Sequence, residues 1–394
     1  MRLSQCLSLA PYPLSVFQGS YSMRSVRIRI IIFFRYTFAL LVTIATISAQ
    51  FVLYFYFSSI MYQPQVPIFI VILYYIVSVL QTMTTGNMMI GCEQRQTDYE
   101  GYFQEVLELI KETVHQRDCK TVIWYRYAVR ASLILYCTVA LLIPIIMATV
   151  TQDIATIPYV IAHTIPFIVS SLILNQYFCV FVHLTTILKK LNERLTALVS
   201  MSPVPEPGYA LQREKPLVYN VLGQSLESLK LERNRLEQIE ELRILHVRTV
   251  QTAGNLSTKF GVVIVLIVVA AFASVNIELL ELYQCIKLGN LSPLHMVMKF
   301  LFAAIKFSFY ILIAYPNRMI QNEIEHFISQ ISNLHDVHQA CGMINLDMKL
   351  ISNVSEHHAE EGNLSKIAVP YFPQVVAAIT SIMVVLIQFS DSRL

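Results

Sequence analysis

Charge is what this sequence has least of. Asp, Glu, Lys and Arg make up only 14% of its 394 residues, against roughly 25% in an ordinary soluble domain. With 55% hydrophobic residues and a mean hydropathy of +0.55, the chain has more apolar surface than a water-soluble fold can bury, so the bilayer must be part of its solvent. The net charge is only +3, and basic residues alternate with acidic ones beyond the first apolar segment. No basic stripe tracks phosphates, which excludes nucleic acid as a partner.

Paired cysteines are also missing. The seven cysteines stand singly at Cys6, Cys92, Cys119, Cys137, Cys179, Cys285 and Cys341, with neither a CxxC nor a Cys/His spacing, so they read as isolated reduced thiols. The run Leu7 to Phe17 is interrupted by Pro11 and Pro13 and lacks a small-residue cleavage site. A cleaved leader is therefore not expected, and the first long apolar segment acts as its own anchor. Catalytic signatures are absent too: there is no HExxH, Walker A loop, GxSxG, or GxGxxG opening a helix, so neither an enzyme nor a cofactor is expected. The stretch Glu356-His357-His358-Ala359-Glu360-Glu361 contains metal-ligand residue types. Adjacent positions do not converge on one point of a regular helix, so it reads as a solvated polar turn and no metal site is expected.

What the sequence does contain is long apolar runs. A hydrocarbon core about 30 Å thick requires about 20 apolar helical residues. Seven segments answer to that length: Tyr36–Ser58, Pro67–Gly91, Ala131–Val150, Ile157–Val182, Phe260–Glu281, Leu294–Tyr315 and the shorter Gln374–Phe389. Orientation follows from the basic residues, which are retained on the cytoplasmic side. The N-terminal stretch has Arg2, Arg24, Arg27, Arg29 and Arg35 with no acid, and the loops after the second, fourth and sixth segments hold most of the remaining cations. The opposite loops and the tail hold only Lys287 and Arg393. The expected fold is an all-α polytopic membrane protein of seven transmembrane helices, N-terminus inside and C-terminus outside.

The expected divisions are a cytosolic N-terminus (1–35), transmembrane helices 1–4 (36–182), a cytosolic helical segment (183–259), helices 5 and 6 (260–315), a second cytosolic segment (316–373), helix 7 (374–389) and an external tail (390–394). The first cytosolic segment is broken at Ser202-Pro203-Val204-Pro205-Glu206-Pro207-Gly208, where prolines end a helix. Beyond the break, Leu222, Leu226, Leu229, Leu236, Ile239, Leu242 and Leu245 recur at helical spacing, and Ile320, Ile324, Phe327, Ile328, Ile331 and Leu334 repeat the pattern in the second segment. Each stripe requires a helical partner, so the later membrane helices are expected to continue into a cytosolic bundle, within one subunit or between subunits.

Ionisable groups inside the bilayer cost about 2.5–3.5 kcal/mol or more unless they face a cavity or a partner. Lys306 is the deepest, about eleven residues or about 17 Å into the sixth helix, whereas Lys299 and Glu278 lie near the outer interface, within reach of water. Tyr74, Tyr75, Tyr159, His163, Asn276 and Tyr310 fall in the outer halves of the helices. With Lys306 they could give an apolar cavity the few polar points from which small-molecule sites are built; ordinary interfacial packing is the competing account of each. Asn290-Leu291-Ser292 is the one sequon on the expected outer side, so Asn290 is a glycosylation candidate, with Pro293 directly after it. The sequons at Asn255, Asn353 and Asn363 face the cytosol.

The last apolar segment reads Ala377-Ala378-Ile379-Thr380-Ser381-Ile382-Met383-Val384-Val385-Leu386-Ile387-Gln388-Phe389. It resembles the insect gustatory receptor signature TYhhhhhQF, with Ser381 at the threonine, Ile382 replacing the tyrosine, five apolar residues, then Gln388 and Phe389. Length and topology are similar to that family over essentially the whole chain. The resemblance implies a ligand-gated, nonselective cation channel in the plasma membrane of chemosensory neurons, activated by a small-molecule tastant. It implies a homo- or hetero-tetramer with other gustatory receptors, in lipid, with the seventh helices around the pore. Val384, Ile387, Gln388 and Phe389 then line the pore, where an apolar constriction gates by dewetting, and Pro370 and Pro373 let the helix pivot.

Three other readings compete. A G-protein-coupled receptor has the opposite orientation, and this chain lacks Asp-Arg-Tyr and NPxxY motifs. A carrier shows a hydropathy repeat between halves, and none is visible. An odorant receptor channel shares the topology, but the Gln-Phe ending favours the gustatory branch. The charge asymmetry predicts that a tag after Leu394 is labelled on intact cells and one before Met1 only after permeabilisation; the reverse pattern contradicts the threading.

Overall fold

The computed structural model describes residues 8–10, 26–61, 68–92, 94–113, 156–200, 218–288 and 293–340, with short pieces at 127, 130–131, 134–136, 138, 142, 377–382 and 384. No strand occurs among the described residues. The helices are α1 (Val26–Met61), α2 (Ile68–Ile90), α3 (Gln96–Thr113), α4 (Ile165–Ser200), α5 (Val218–Leu288) and α6 (Pro293–Ala340). Four stretches, Val26–Leu53, Ile161–Val199, Arg233–Leu280 and Phe300–Ser332, are long and apolar enough to cross a membrane. The third and seventh expected spans lie largely outside the described residues.

Helix length is where the structure departs most from the hydropathy reading. α1 starts at Val26, inside the expected N-terminal tail. α5 is one unbroken helix of 71 residues, about 107 Å at 1.5 Å per residue, so the apolar span and the charged stripe before it form a single rod. α6 likewise runs 48 residues through Pro316. The two expected apolar stripes meet within one chain. Ile239 and Leu242 of α5 share a core with Ile320, Phe327 and Ile331 of α6, and the His246 ring stacks on Phe327 with centroids 3.8 Å apart.

α4 is the central helix. Leu184, Ile187, Leu188 and Leu191 are fully buried, and α4 packs against α6, α5 and α3. In contrast, Val262, Val265 and Val269 form an exposed face of α5, with Val262 at 71%. Such a face is stable only against lipid tails or another apolar surface. α1 and α2 approach closely at Gly86, where an added Cβ would sit 3.0 Å from Thr43 Cγ2. Along the same seam, the Gln50 amide donates to the Ser78 carbonyl (2.9 Å) and the Thr82 hydroxyl (2.5 Å).

α3 lies in the segment expected as the loop after the second span. It forms because Val106, Leu109 and Thr113 fall on one face and are buried, while four of its five acids, Asp98, Glu105, Glu108 and Glu112, fall on a second stripe. Asp98 pairs with Lys259 (2.7 Å), Glu108 and Glu112 flank Arg248 (3.1 and 3.4 Å), and Thr252 donates to Glu105 (2.8 Å). Arg194 of α4 closes the helix by donating to the Thr113 carbonyl at 2.7 Å, satisfying a terminal acceptor. At the same end of the molecule, Ser8–Ala10 folds under α1. Arg35 donates to the Ala10 carbonyl, Ser8 donates to the Arg35 carbonyl, and Leu9 enters the core.

Packing outweighs these surface pairs. Leu191→Ala is expected to cost about 2–5 kcal/mol, whereas Arg248→Ala, whose partners are half-exposed, costs about 0.2–1 kcal/mol and less in high salt. Thermal unfolding of the purified variants at two salt concentrations measures both; equal destabilisation would contradict the ranking.

Candidate functional site

Of the expected ligand-site residues, Tyr74 packs beside Ile277 and Leu280 of α5 and Lys306 meets Glu278, at the end of the bundle where α5 gives way to α6, here called the connection end. The sequence around it dictates a local irregularity. Pro166 has no N–H to return to Ala162, and the chain opens into a π turn, Val160–Thr164, directly before α4. The turn is preceded by a short helical piece, Thr156–Tyr159, and rests on α1, where Ala162 packs with Ala49 and Leu53. His163 is part of this turn and is half-buried. Tyr159 ends the preceding piece, and its side chain lies outside the description.

On α5, Ala271, Val275 and Glu278 succeed one another at spacings of four and three, and all are buried. On α6, Phe302, Lys306, Phe309 and Tyr310 follow a helical stripe facing them. Lys306 Nζ lies 3.6 Å from Glu278 Oε1, with side chains only 10% and 2% exposed, and 4.7 Å above the Phe302 ring. Removing two charges from water costs several kcal/mol per ion, and mutual attraction plus the ring face offset that cost only while both partners are present. The structure therefore corrects the reading of Glu278 as an interfacial residue reaching water: distance along the helix gave its depth, but its face of the helix points inward. The Lys299 side chain lies outside the description.

The other candidates are placed as follows. Tyr310 is buried and donates to the Val268 carbonyl at 3.0 Å. Asn276 is buried and donates to the Phe272 carbonyl at 2.9 Å, and its Oδ1 is buried without a hydrogen-bond partner among the described residues. Tyr74 is half-buried and packs on the small cluster of Val77, Ile277 and Leu280; Tyr75 beside it is half-buried as well. Val384 is exposed, while Ile387, Gln388, Phe389 and Asn290 lie outside the described residues.

Sequence reasoning missed an aromatic group next to the ion pair. Phe167 stacks on Phe309 (5.3 Å between centroids) and lies 6.1 Å from Phe302, and Tyr136 packs on both Phe167 and Phe309. The Tyr136 hydroxyl also bonds with Ser308. The spacing of Phe302 and Phe309 at one seven-residue interval on α6 was the available signal. Deeper in α4, the side-chain amide of Gln176 is buried with neither end hydrogen-bonded among the described residues, and Tyr177 donates to Asn317 at 2.7 Å, directly after Pro316. No three His, Cys, Asp or Glu residues converge as metal ligands among the described residues.

Breaking a buried pair leaves an uncompensated charge, so Lys306→Met or Glu278→Gln alone is expected to cost about 3–5 kcal/mol, and the double variant much less. Thermal unfolding in detergent is the measurement; additive losses in the double variant would contradict the pairing.

Apolar helices long enough to span a bilayer, with charged and polar side chains paired inside the bundle, describe a membrane protein. No curated protein matches the chain. The family defined as 7tm chemosensory receptors matches residues 1–324. The chain belongs to this seven-transmembrane chemosensory receptor family.

Proposed function

We propose that the chain is a gustatory receptor: a ligand-gated, nonselective cation channel of chemosensory neurons, opened by a small-molecule tastant and not an enzyme. The observation that carries the taste assignment is the C-terminal run from Ser381 to Phe389, with its Gln-Phe ending, in a chain of the chemosensory receptor family. Four subunits surround the pore in this reading, and the last helix of each contributes Val384, Ile387, Gln388 and Phe389. The exposure pattern supports it. Ile379 alone of the described residues of this helix is buried in the subunit's own core, whereas Ala377, Ala378, Thr380, Ser381, Ile382 and Val384 are exposed, which leaves most of the helix surface available to a pore, a neighbouring subunit or lipid.

In the proposed threading, the end bearing α3 and Ser8–Ala10 is cytosolic and the connection end faces outward, with Asn290 open to glycosylation. The ligand enters among α2, the π turn, α5 and α6, near Tyr74, Tyr159, His163, Asn276, Lys306 and Tyr310. It opens the channel only to the extent that it binds the open arrangement more tightly than the closed one. Rigid α5 and α6 rods connect that site to the opposite end, and Pro316, where the helix ladder lacks one hydrogen bond, is the natural point of flexure.

Calcium imaging of non-neuronal cells expressing the chain, against sugars, bitter compounds and amino acids, tests the receptor reading. In responding cells, Gln388→Ala and Phe389→Ala are expected to change ion selectivity or open probability while the half-maximal ligand concentration stays within about threefold, a shift under 1 kcal/mol. Unaltered currents in both variants would remove these residues from the pore.

A further inference from the structure

A buried carboxylate and the face of an aromatic ring are the groups from which proteins build sites for an ammonium ion. At the connection end those groups are Glu278 and Phe302, and the ammonium between them belongs to the chain itself, since Lys306 Nζ is 3.6 Å from the carboxylate and 4.7 Å from the ring centroid. The charged side chains are nine-tenths or more buried. Phe302 is held in turn by Phe167, which stacks on Phe309. Carboxylate and ring come from different helices, so their convergence is a product of tertiary packing.

We propose that Glu278 and Phe302 form an ammonium-binding site in which Lys306 is the tethered occupant, and that Lys306 thereby acts as a specificity residue that keeps protonated amines out. A second cation would meet the Lys306 charge at short range in a medium of low dielectric and find the carboxylate already neutralised. An uncharged ligand meets no such repulsion, so the ligand class that fits beside the intact pair is uncharged. This last step rests on the ligand-site reading above; the ammonium site itself does not.

Lys306→Ala removes three methylenes and the ammonium, which is the shape of n-propylammonium. The full chain in lipid nanodiscs is heated with n-propylammonium chloride, with 1-propanol, or with sodium chloride at matched ionic strength. The expected result is a saturable rise in the unfolding midpoint of Lys306→Ala with the amine only, no rise in wild type, and a half-saturating concentration about tenfold or more higher once Glu278→Gln is added. Equal responses of wild type and variant, an equal effect of propanol, or insensitivity to Glu278→Gln would each overturn the proposal. If Lys306→Ala is not recovered folded, the amine is supplied during membrane extraction: monodisperse receptor with the amine but not with propanol supports the site, and no recovery with either overturns it. None of these readouts requires a current, so amine binding by a chain that conducts nothing contradicts the channel reading alone.

Discussion

A peptide group in hydrocarbon has no water to bond, so every N–H and C=O in the span must find its partner inside the chain. The long unbroken rods α4, α5 and α6 follow from that constraint, and the polar side chains obey it as well. Thr46, Thr82, Thr84, Thr85, Ser171, Thr185 and Thr186 each donate a hydroxyl to the carbonyl four residues earlier, which lets a hydroxyl sit in the span at little cost. Where proline breaks the ladder, the chain compensates locally. Pro166 is accommodated by a π turn, and the residue after Pro316 is held by the Tyr177 hydroxyl.

The same constraint makes charge informative. Two ionisable side chains are buried against each other on α5 and α6, beside an aromatic group assembled from α4, α6 and Tyr136. Nothing in the demands of a stable apolar bundle requires this arrangement, since well-packed hydrophobic residues of similar volume would serve stability as well or better. The pair lies on the same two helices as Asn276 and Tyr310, at the end to which the proposed ligand site is assigned. The opposite end is built differently, from an acidic stripe on α3 meeting basic and hydroxyl groups on α5, with Arg194 of α4 on the Thr113 carbonyl. α5 and α6 run through both ends as continuous helices.

Much of this was legible from residues alone. The stripes from Ile239 to Leu245 and from Ile320 to Ile331 announced helices seeking partners, and they found each other. The depth of Lys306 pointed to a buried partner or cavity, and the partner is present. The identity of that partner was not legible, because depth along a helix does not reveal which face Glu278 occupies. α3 was hidden by its own polarity: a helix with four acids on one stripe looks like a solvated loop until the cations of α5 are placed opposite it. The group of Tyr136, Phe167, Phe302 and Phe309 draws on separate segments, and no local pattern could have joined them. The C-terminal run that suggested taste reception lies mostly beyond the described residues, so the sequence alone speaks for it there.

The central claim is that the protein itself conducts ions when a ligand binds. The most direct measurement is current across a planar lipid bilayer containing only the purified chain, with candidate tastants added to one side. The account predicts discrete cation-conducting openings that appear with the ligand and need no nucleotide or G protein. Tight ligand binding without any conductance, with nucleotide exchange on an added G protein, would contradict it.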